Sequence, residues 1–483
     1  MSQKNLEEQL LEYLDSLPLG SLRILGRMKG VDHPSARKKD DLMNALIDVL
    51  TEKTKPVTIE TGKSKKGAHP KQDFIDPAVL EMIEKMLSRA RDAAVAEATK
   101  FTVATSEPCH NAYDDRIYTG VLDITSNGYG FVRVKNCQPT PNGDVFIPSD
   151  KIQEYKLRVG DTIACHARAS VKNDSAAFTE LLSVNGMPIG SYENRPYFDA
   201  LTAYFPKEKF RLSDRGEEIS LRVLDLFAPV GKGQRGLIIA PPKAGKTSLL
   251  KDIARSLAKT ENVALIVLLI DERPEEVTDF RMTVEGAEII SSTFDEGAWH
   301  HIRAADLVLA HAKRLAEAGK DVVILLDSLT KLTRAHNIVA ESSGKTLSGG
   351  LDPNALGGPK RFFGAARNLE EKGSLTILAT VLVDTGSRLD DVVYEEFKGT
   401  GNADIVLSRD LSERRVFPAF DLRRSGTRKD ELLLSEEELS GVRRLQSRGL
   451  ADNTEGVLDM MTKTDNNEEF LARLDSWLKV YKH

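Results

Sequence analysis

Cysteine is scarce in this 483-residue chain: Cys109, Cys137 and Cys165 are an odd number with no close ligand spacing. That argues against a disulfide framework or a cysteine zinc site and leaves free thiols in a reducing compartment. Long apolar runs are missing too. No stretch reaches the about eighteen apolar residues of a membrane-spanning helix, and the N-terminus has no apolar signal core. A cytoplasmic location and no membrane partner are expected. Bulk positive charge is also absent: 67 Lys and Arg stand against 73 Asp and Glu, a net charge of −6. Nucleic-acid contact must therefore come from local basic surfaces. The hydrophobic fraction, 41%, is that of an ordinary globular core, and the length suggests about three domains.

One further absence falls in the most informative segment. Residues 240–247 read Ala-Pro-Pro-Lys-Ala-Gly-Lys-Thr, with Ala240 where a phosphate-binding loop usually has its first glycine. The two prolines fix φ and remove donors, so the early loop is stiff. The rest fits. An apolar run at 236–239 precedes it and a helical pattern at 248–254 follows, giving strand, loop and helix. Pro242, Lys243, Ala244, Gly245, Lys246, Thr247 and Ser248 are the expected nucleotide cradle, where backbone N–H groups and a helix N-terminus face anionic oxygens. Lys246 reaches the β/γ-phosphates and the Thr247 hydroxyl ligates Mg²⁺. Downstream, the run 322–326 ends in Asp327. A carboxylate at the end of a buried parallel strand holds the Mg²⁺ water shell, so a nucleoside triphosphate and Mg²⁺ are expected.

The chain divides into further stretches. Leu6, Leu10, Leu14 and Leu17 lie on one helix face, and Leu42, Leu46, Val49 and Leu50 on another, giving a helical domain over 1–50. The basic cluster Arg37-Lys38-Lys39 precedes the second helix and reads as solvated surface. Residues 51–115 form a basic linker, with six Lys and two Glu between 52 and 72, and a helix from Asp76-Pro77 to about 99. That helix spaces Val79, Ile83, Met86, Leu87, Ala90 and Ala94 and carries no assigned function.

Five short strand-like runs follow at 119–124, 129–134, 144–148, 161–168 and 178–184, separated by Gly and Pro turns. They suggest a small oligonucleotide-binding barrel over 116–190. Tyr129 and Phe131 fall at i and i+2 on one strand face with Arg133 nearby, an arrangement that stacks bases, the Arg adding phosphate contact or cation–π stacking. Burial of both rings in the barrel core is the competing reading; the flanking glycines favour close approach of a ligand.

Residues 191–435 read as the nucleotide-binding domain, with 436–483 as a C-terminal helical region. Apolar runs at 263–270, 375–383 and 404–407 alternate with helical patterns, giving a parallel sheet with helices on both faces. The first run ends in Asp271-Glu272-Arg273-Pro274-Glu275-Glu276. One carboxylate there would orient the attacking water; spacing does not choose among Asp271, Glu272, Glu275 and Glu276. Two polar loops, 343–350 and 384–388, each carry one cation and follow strands. They read as ordinary loops, or as the lining of a channel gripping a phosphate backbone. The Arg-rich segments 414–418 and 423–429 read as solvated surface, or as the source of an arginine supplied across a subunit boundary.

From about 117 to 435 the chain resembles the bacterial transcription termination factor Rho family, ring-shaped RNA-dependent ATPases and helicases with a RecA-like core. The resemblance rests on Gly-Tyr-Gly-Phe (128–131), residues 240–247, Leu-Ile-Asp-Glu-Arg-Pro-Glu-Glu-Val-Thr (269–278), Leu-Leu-Asp-Ser-Leu-Thr (325–330), Pro-Lys-Arg-Phe-Phe-Gly-Ala-Ala-Arg (359–367), Tyr-Glu-Glu-Phe-Lys-Gly-Thr-Gly-Asn (394–402) and Arg-Ser-Gly-Thr-Arg-Lys (424–429). It implies a RecA-like P-loop ATPase core preceded by a helical domain and a five-stranded OB/cold-shock-like barrel. It implies Glu272 as the residue activating water and Arg273 as a neighbouring switch. Lys243, Lys246 and Thr247 would touch phosphate and Mg²⁺, with Asp327 on the metal side through water. Phe417 would stack on adenine. Arg428 would be the finger into the adjacent subunit's site, with Arg415 and Lys398 at the same boundary. Lys345 and Arg388 would track RNA in the channel, and Tyr129, Phe131, Arg133, Phe146 and Phe178 would form the primary, pyrimidine-preferring RNA site. Phe146 and Phe178 stand where tyrosines are common in the family, which loses a hydroxyl; Arg388 stands where lysine is common. The 51–115 segment is longer than in compact members.

The expected protein is a homohexameric transcription termination factor, a Mg²⁺- and ATP-dependent 5′→3′ translocase on single-stranded nascent RNA. RNA polymerase and accessory elongation or termination factors are its expected partners. Two other classes compete. A rotary-ATPase subunit would share the core but need neither the barrel aromatics nor the cationic loops. A non-catalytic RNA-binding protein would not need Lys246, Thr247, Glu272 and Asp327 together.

Overall fold

The structure, a computed structural model, describes residues 11, 14, 17–29, 31, 37–50, 115–140, 143–168, 175–213, 218–259, 263–370 and 372–480. Leu6, Leu10, Cys109 and the expected linker and helix at 51–114 lie outside them. The chain forms two units, Met1–His110 and Asn111–His483. In the first, α1 (Leu19–Lys29) and α2 (Lys39–Leu50) are amphipathic. Leu22 and Leu25 on α1 and Leu42, Leu46 and Ile47 on α2 meet in one buried cluster with Leu14.

The second unit opens with a barrel. Its strands are β1 (Asp115–Ile124), β2 (Gly130–Arg133), β3 (Val145–Ile147), β4 (Thr162–Arg168) and β5 (Ala176–Val184), in the order β3-β2-β1-β4-β5, and the β3–β5 pairing closes it. Alternation decides what faces inward: Val145 and Ile147 are buried while Phe146 between them is exposed. Leu122, Val132, Ile163, Cys165 and Leu181 complete the interior. Two short elements carried no sequence signal. One is the six-residue helix α3 (Ser149–Glu154), and the other is β6 (Met187–Pro188), which extends the sheet beyond β5.

The larger sheet runs β10-β9-β11-β13-β8-β14-β15. Its strands are β8 (Arg235–Ala240), β9 (Val263–Glu272), β10 (Glu288–Thr293), β11 (Asp321–Asp327), β13 (Ser374–Leu382), β14 (Ala403–Val406) and β15 (Gly426–Thr427). All pair in parallel except β15, which runs antiparallel to β14. Two short strands, β7 (Ala203–Tyr204) and β12 (Arg367–Leu369), attach at the start of β13. Two buried clusters lie in this domain, as expected where strands are apolar on both sides. β8 lies between β13 and β14, yet the chain leaves it for β9 beyond β13 and β11. That reversal is a topological switch point, where ligands settle at the carboxyl ends of strands.

The helices follow: α4 (Ile219–Phe227), α5 (Lys246–Ala258), α6 (Pro274–Thr283), α7 (Ala298–Glu317), α8 (Leu329–Val339), α9 (Gly357–Gly364), α10 (Arg388–Lys398) and α11 (Arg409–Glu413). At the C-terminus, α12 (Glu436–Ser447), α13 (Thr454–Thr462), α14 (Asn467–Ala472) and α15 (Leu474–Val480) share the buried cluster of α4 and α5. Arg222 on α4 fixes them by donating to the carbonyls of Met461, Thr464 and Asn466 at 2.6–2.9 Å.

The barrel is seated on α7 and β10. Gly160 has φ +86°, and a Cβ there would lie 2.3 Å from the Ala310 carbonyl carbon, so only glycine permits the approach. The Asn136 amide pairs with Ser291 of β10, donating to its carbonyl at 2.8 Å and accepting from its N–H at 2.7 Å. One side chain thus satisfies part of an otherwise open sheet edge.

Candidate active site and nucleic-acid interface

The phosphate loop leaves β8 after Ala240, which is fully buried and the last residue of that strand. The departure from glycine is thereby explained: the position still belongs to the sheet. Lys243 and Gly245 have φ of +68° and +88°, left-handed turns that bend the loop toward the start of α5 at Lys246. Lys246 Nζ lies 2.5 Å from Asp327 Oδ1 and 3.8 Å from Glu272 Oε1. Thr380 of β13 donates to the same Asp327 oxygen at 2.8 Å. Lys331, in the first turn of α8, donates to Glu272 Oε1 at 2.6 Å and to the Asp271 carbonyl at 2.8 Å.

Burial separates the four carboxylates that spacing left equal. Glu272 is 6% exposed and faces Lys246. Glu275 is exposed and Glu276 half-buried, both in the first turn of α6, where they complement the helix dipole. Asp271 has φ +56° and offers its carbonyl to Lys331. Burial pushes the Glu272 carboxyl above its ordinary range and neighbouring Asp327 adds to this, while Lys331 and Lys246 oppose it. Burial pulls the Lys246 ammonium down, but Asp327 and Glu272 reverse that, leaving it raised. Arg273 is exposed at the N-cap of α6.

A cavity of about 480 Å³ opens beside the loop, lined by Lys243, Gly245, Ser248, Asp252, Phe417 and Phe420 among others. Its size suits a nucleotide. Phe417 is 51% exposed, and a Cβ on Gly245 would stand 3.6 Å from its ring. The aromatic face and the loop therefore bound one space. Pro242 is exposed at the loop and Ala244 buried. Arg415, at φ +63°, is two residues from Phe417 on this same side.

Arg428 and Lys398 stand elsewhere. Arg428 directly follows β15, which pairs with Ala403 and Asp404 at the start of β14, level with Gly236 and Leu237 of β8. Four residues of strand separate Gly236 from Ala240, about 13 Å. Lys398 ends α10 beside Glu395 at 3.7 Å. The Asp404 carboxyl is raised by burial and lowered in part by Arg428 and Lys398, so the two cations flank it at the end of the sheet opposite the loop. The cationic loops do come together. A Cβ on Gly349 would lie 2.5 Å from the Leu389 N, so the loop of Lys345 packs on the start of α10, where Arg388 is exposed. Asp390, fully buried, ties α10 to α8 by accepting from Arg334 at 2.6–3.0 Å.

On the barrel, Tyr129, Phe131 and Phe146 form a triangle with centroids 5.6–5.9 Å apart. None belongs to the barrel interior. Tyr129 precedes β2 instead of lying within it, yet keeps its place in the triangle. Phe178 differs: it is half-buried against the interior beside Tyr155, at 6.2 Å. Of the two expected roles for Arg133, phosphate contact or cation–π stacking, the second is the one formed within the chain. Arg133 is 6% exposed, stacked 4.7 Å over Phe131, and held by Asp123 at 2.6 Å and Asp144 at 2.6 Å. Its donors are largely committed to these carboxylates, which orders the platform. Asp144 Oδ1 is buried and has no hydrogen-bond partner among the described residues. Cys137 and Cys165 are free and buried, and burial raises both thiols, Cys165 to about 12. Among the described residues, no helix is long and apolar enough to cross a membrane.

Sequence reasoning missed Lys331, Thr380, Asp144 and Asp390. Only Asp390, two residues beyond a cationic loop, carried any local signal.

Residues 220–427 match the ATP synthase alpha/beta family, nucleotide-binding domain, and residues 118–189 match the Rho termination factor, RNA-binding domain. The chain is 52% identical to the transcription termination factor Rho of Bacillus subtilis (strain 168), over 74% of this chain and 84% of that one. It is 48% identical to that of Streptomyces coelicolor, over 84% and 99%, and 47% identical to that of Escherichia coli (strain K12), over 75% and 88%. A solved ATPase of the type III secretion system of pathogenic bacteria is 23% identical with a TM-score of 0.49, covering 61% of this chain and 94% of that one.

Proposed function

The chain belongs to the transcription termination factor Rho family, an RNA-binding, ATP-hydrolysing termination factor, and we propose that it works as a homohexameric 5′→3′ translocase on nascent RNA. The observation that carries this reading is the coexistence, in one unit, of the Lys246, Asp327, Glu272 and Lys331 cluster with an aromatic triangle that lies outside the barrel interior. A rotary subunit needs the first and has no use for the second.

The residues fit ATP and Mg²⁺. The loop's left-handed turns and the N-terminus of α5 suit phosphate oxygens. Lys246 and Thr380 both bind Asp327 Oδ1 and leave Oδ2 to other partners, and Thr247 stands at the start of α5. Thr247 and Asp327 would hold Mg²⁺, Asp327 through water. The ion, when bound, neutralises charge on the transferred phosphoryl group. Lys246 and Lys243 bind and orient the phosphates. Phe417 holds the adenine ring, and Phe420 and Ser248 bound its pocket. Glu272, anionic between Lys246 and Lys331, accepts a proton from the attacking water. Arg273 neighbours it as a switch.

Arg428 and Lys398 lie at the far end of the sheet from their own Lys246. They serve the neighbouring copy's site, while Arg415 stays beside its own chain's Phe417 at the other side of the boundary. This assignment makes catalysis depend on assembly. The triangle stacks bases of single-stranded RNA. The unpartnered Asp144 Oδ1 is an acceptor for an exocyclic amine, which favours cytosine over uracil within a pyrimidine-rich tract. Lys345 and Arg388 grip RNA in the channel. RNA polymerase and accessory factors are partners, and the location is cytoplasmic.

ATP hydrolysis with Mg²⁺, with and without cytosine-rich RNA, tests this reading. RNA should stimulate strongly, Phe131→Ala should weaken the stimulation, and Arg428→Ala should abolish hydrolysis. Equal activity without RNA would return the rotary reading to first place.

A further inference from the structure

We propose that single-stranded RNA held on the barrel triangle continues onto the first turns of α7, where Trp299 stacks a base and Arg303 supplies positive charge. This extends the barrel's RNA reading and rests on it. Trp299 is 60% exposed, an unusual placement for so large an apolar ring unless something covers it. It stands one turn before Arg303, on the same helix face. Arg303 in turn meets Asp123 on the very oxygen, Oδ2, that accepts from Arg133. Arg133 lies over Phe131 of the triangle. Contacts thus run unbroken from the triangle through Arg133 and Asp123 to Arg303, on the helix face that also carries the exposed Trp299.

Two further contacts fix this surface. Gln138 donates to the His300 carbonyl at 3.2 Å, joining the loop after β2 to the first turn of α7. Asn136 holds β10 beside it. The path from triangle to Trp299 therefore runs across a docked boundary between barrel and core. The occupant is single-stranded RNA because the surface alternates an aromatic face with a cation, matching a base and its phosphate. It is also continuous with the RNA platform already present. A double helix cannot offer an unstacked base face to an indole on a helix.

The chain holds two tryptophans, and Trp477 packs half-buried on the core. Replacing it in the full-length assembly, Trp477→Phe, leaves Trp299 as the sole reporter. The probes are a cytidine dinucleotide, which fills the triangle alone, and an oligocytidine of about twelve nucleotides. Trp299 emission should fall with the longer probe and not with the dinucleotide. Trp299→Ala should weaken the longer probe by about tenfold and leave the dinucleotide unchanged. Trp299→Phe should restore most of the loss, and Arg303→Gln should weaken the longer probe and reduce its salt dependence. An unchanged affinity of Trp299→Ala for the longer probe overturns the proposal. So does a change confined to the assembly state in sedimentation, which would make Trp299 a contact between copies. If dinucleotide binding ignores Phe131→Ala, the barrel reading itself fails and the extension falls with it.

Discussion

Glu272 shares its carboxylate environment with two lysines, and their different positions separate their roles. Lys246 is anchored on Asp327 at 2.5 Å and stands 3.8 Å from Glu272. Lys331 is the closer partner of Glu272, at 2.6 Å. Glu272→Gln should reduce turnover by about 10²- to 10⁴-fold with nucleotide affinity retained, the range for losing a general base. The pH dependence follows from the sign of the shift. The Glu272 carboxyl is raised by burial and by Asp327, and Lys331 counteracts this. Activity that needs the carboxylate is present above that raised value and is lost as pH falls through it. Lys331→Met removes a lowering influence, so the acidic limb of kcat should move to higher pH, whereas Lys331→Arg should hold it near the original position. Identical limbs in all three would show that Lys331 does not set this carboxylate. The sequence displayed Glu272 within a group of four and did not display Lys331. The two are 59 positions apart, and only the parallel alignment of β9 with β11 brings them together. Thr380 was hidden for the same reason, reaching Asp327 from a strand 53 positions further on.

At the level of elements, the strands were legible because alternation and β-branched runs state which face is buried. Phe146 between Val145 and Ile147 is that rule in three residues. The six-residue α3 was not legible, being too short to show a helical period. Phe178 stands apart from the triangle for a related reason. Its neighbour Ala177, not Phe178, pairs with Phe146, so Phe178 turns toward the interior. The seating of the barrel was invisible too, since it depends on side chains reading another element's backbone. Asn136→Ala removes two hydrogen bonds to the β10 backbone and leaves the N–H and carbonyl of the buried Ser291 without these partners. It should destabilise the barrel against the core by about 1–3 kcal/mol in urea unfolding. His311 gives this seating a pH dependence. Burial pulls its pKa down, but the Glu288 carboxylate and the Gly160 carbonyl more than offset that, leaving it raised. A raised imidazolium contributes stability that is full below its ordinary value of about 6.5 and is lost as pH rises through the raised one. Unfolding stability of the wild type should fall across neutral to mildly alkaline pH, and His311→Gln should flatten that slope. An equal slope in both would assign it to other groups.

For the whole molecule, domain order was readable from composition and strand spacing, but the placement of the cations was not. Arg415 and Arg428 are thirteen positions apart in the chain, in two neighbouring Arg-rich segments. Arg415 lies two residues before Phe417, and Arg428 follows the pairing of Thr427 with Ala403 at the start of β14, because the chain runs back antiparallel along β14 between them, from the Leu407–Phe420 bridge to β15. On the proposed reading, Arg428 at the far end of the sheet cannot serve its own phosphate loop and is supplied to the site of a second copy. Mixing variants tests this directly. Lys246→Ala lacks a working loop but keeps Arg428; Arg428→Ala has the reverse defect. Each alone should be nearly inactive. In an equal mixture, assembled by unfolding and refolding together, about a quarter of boundaries join an intact loop to an intact finger. RNA-dependent hydrolysis should reappear in the mixture at a corresponding fraction of wild type. If Arg428 acted within its own chain, every subunit in the mixture would carry one fatal defect and activity would stay absent. Sedimentation of the mixture distinguishes that outcome from failure to assemble, since both variants leave the buried core of the sheet untouched.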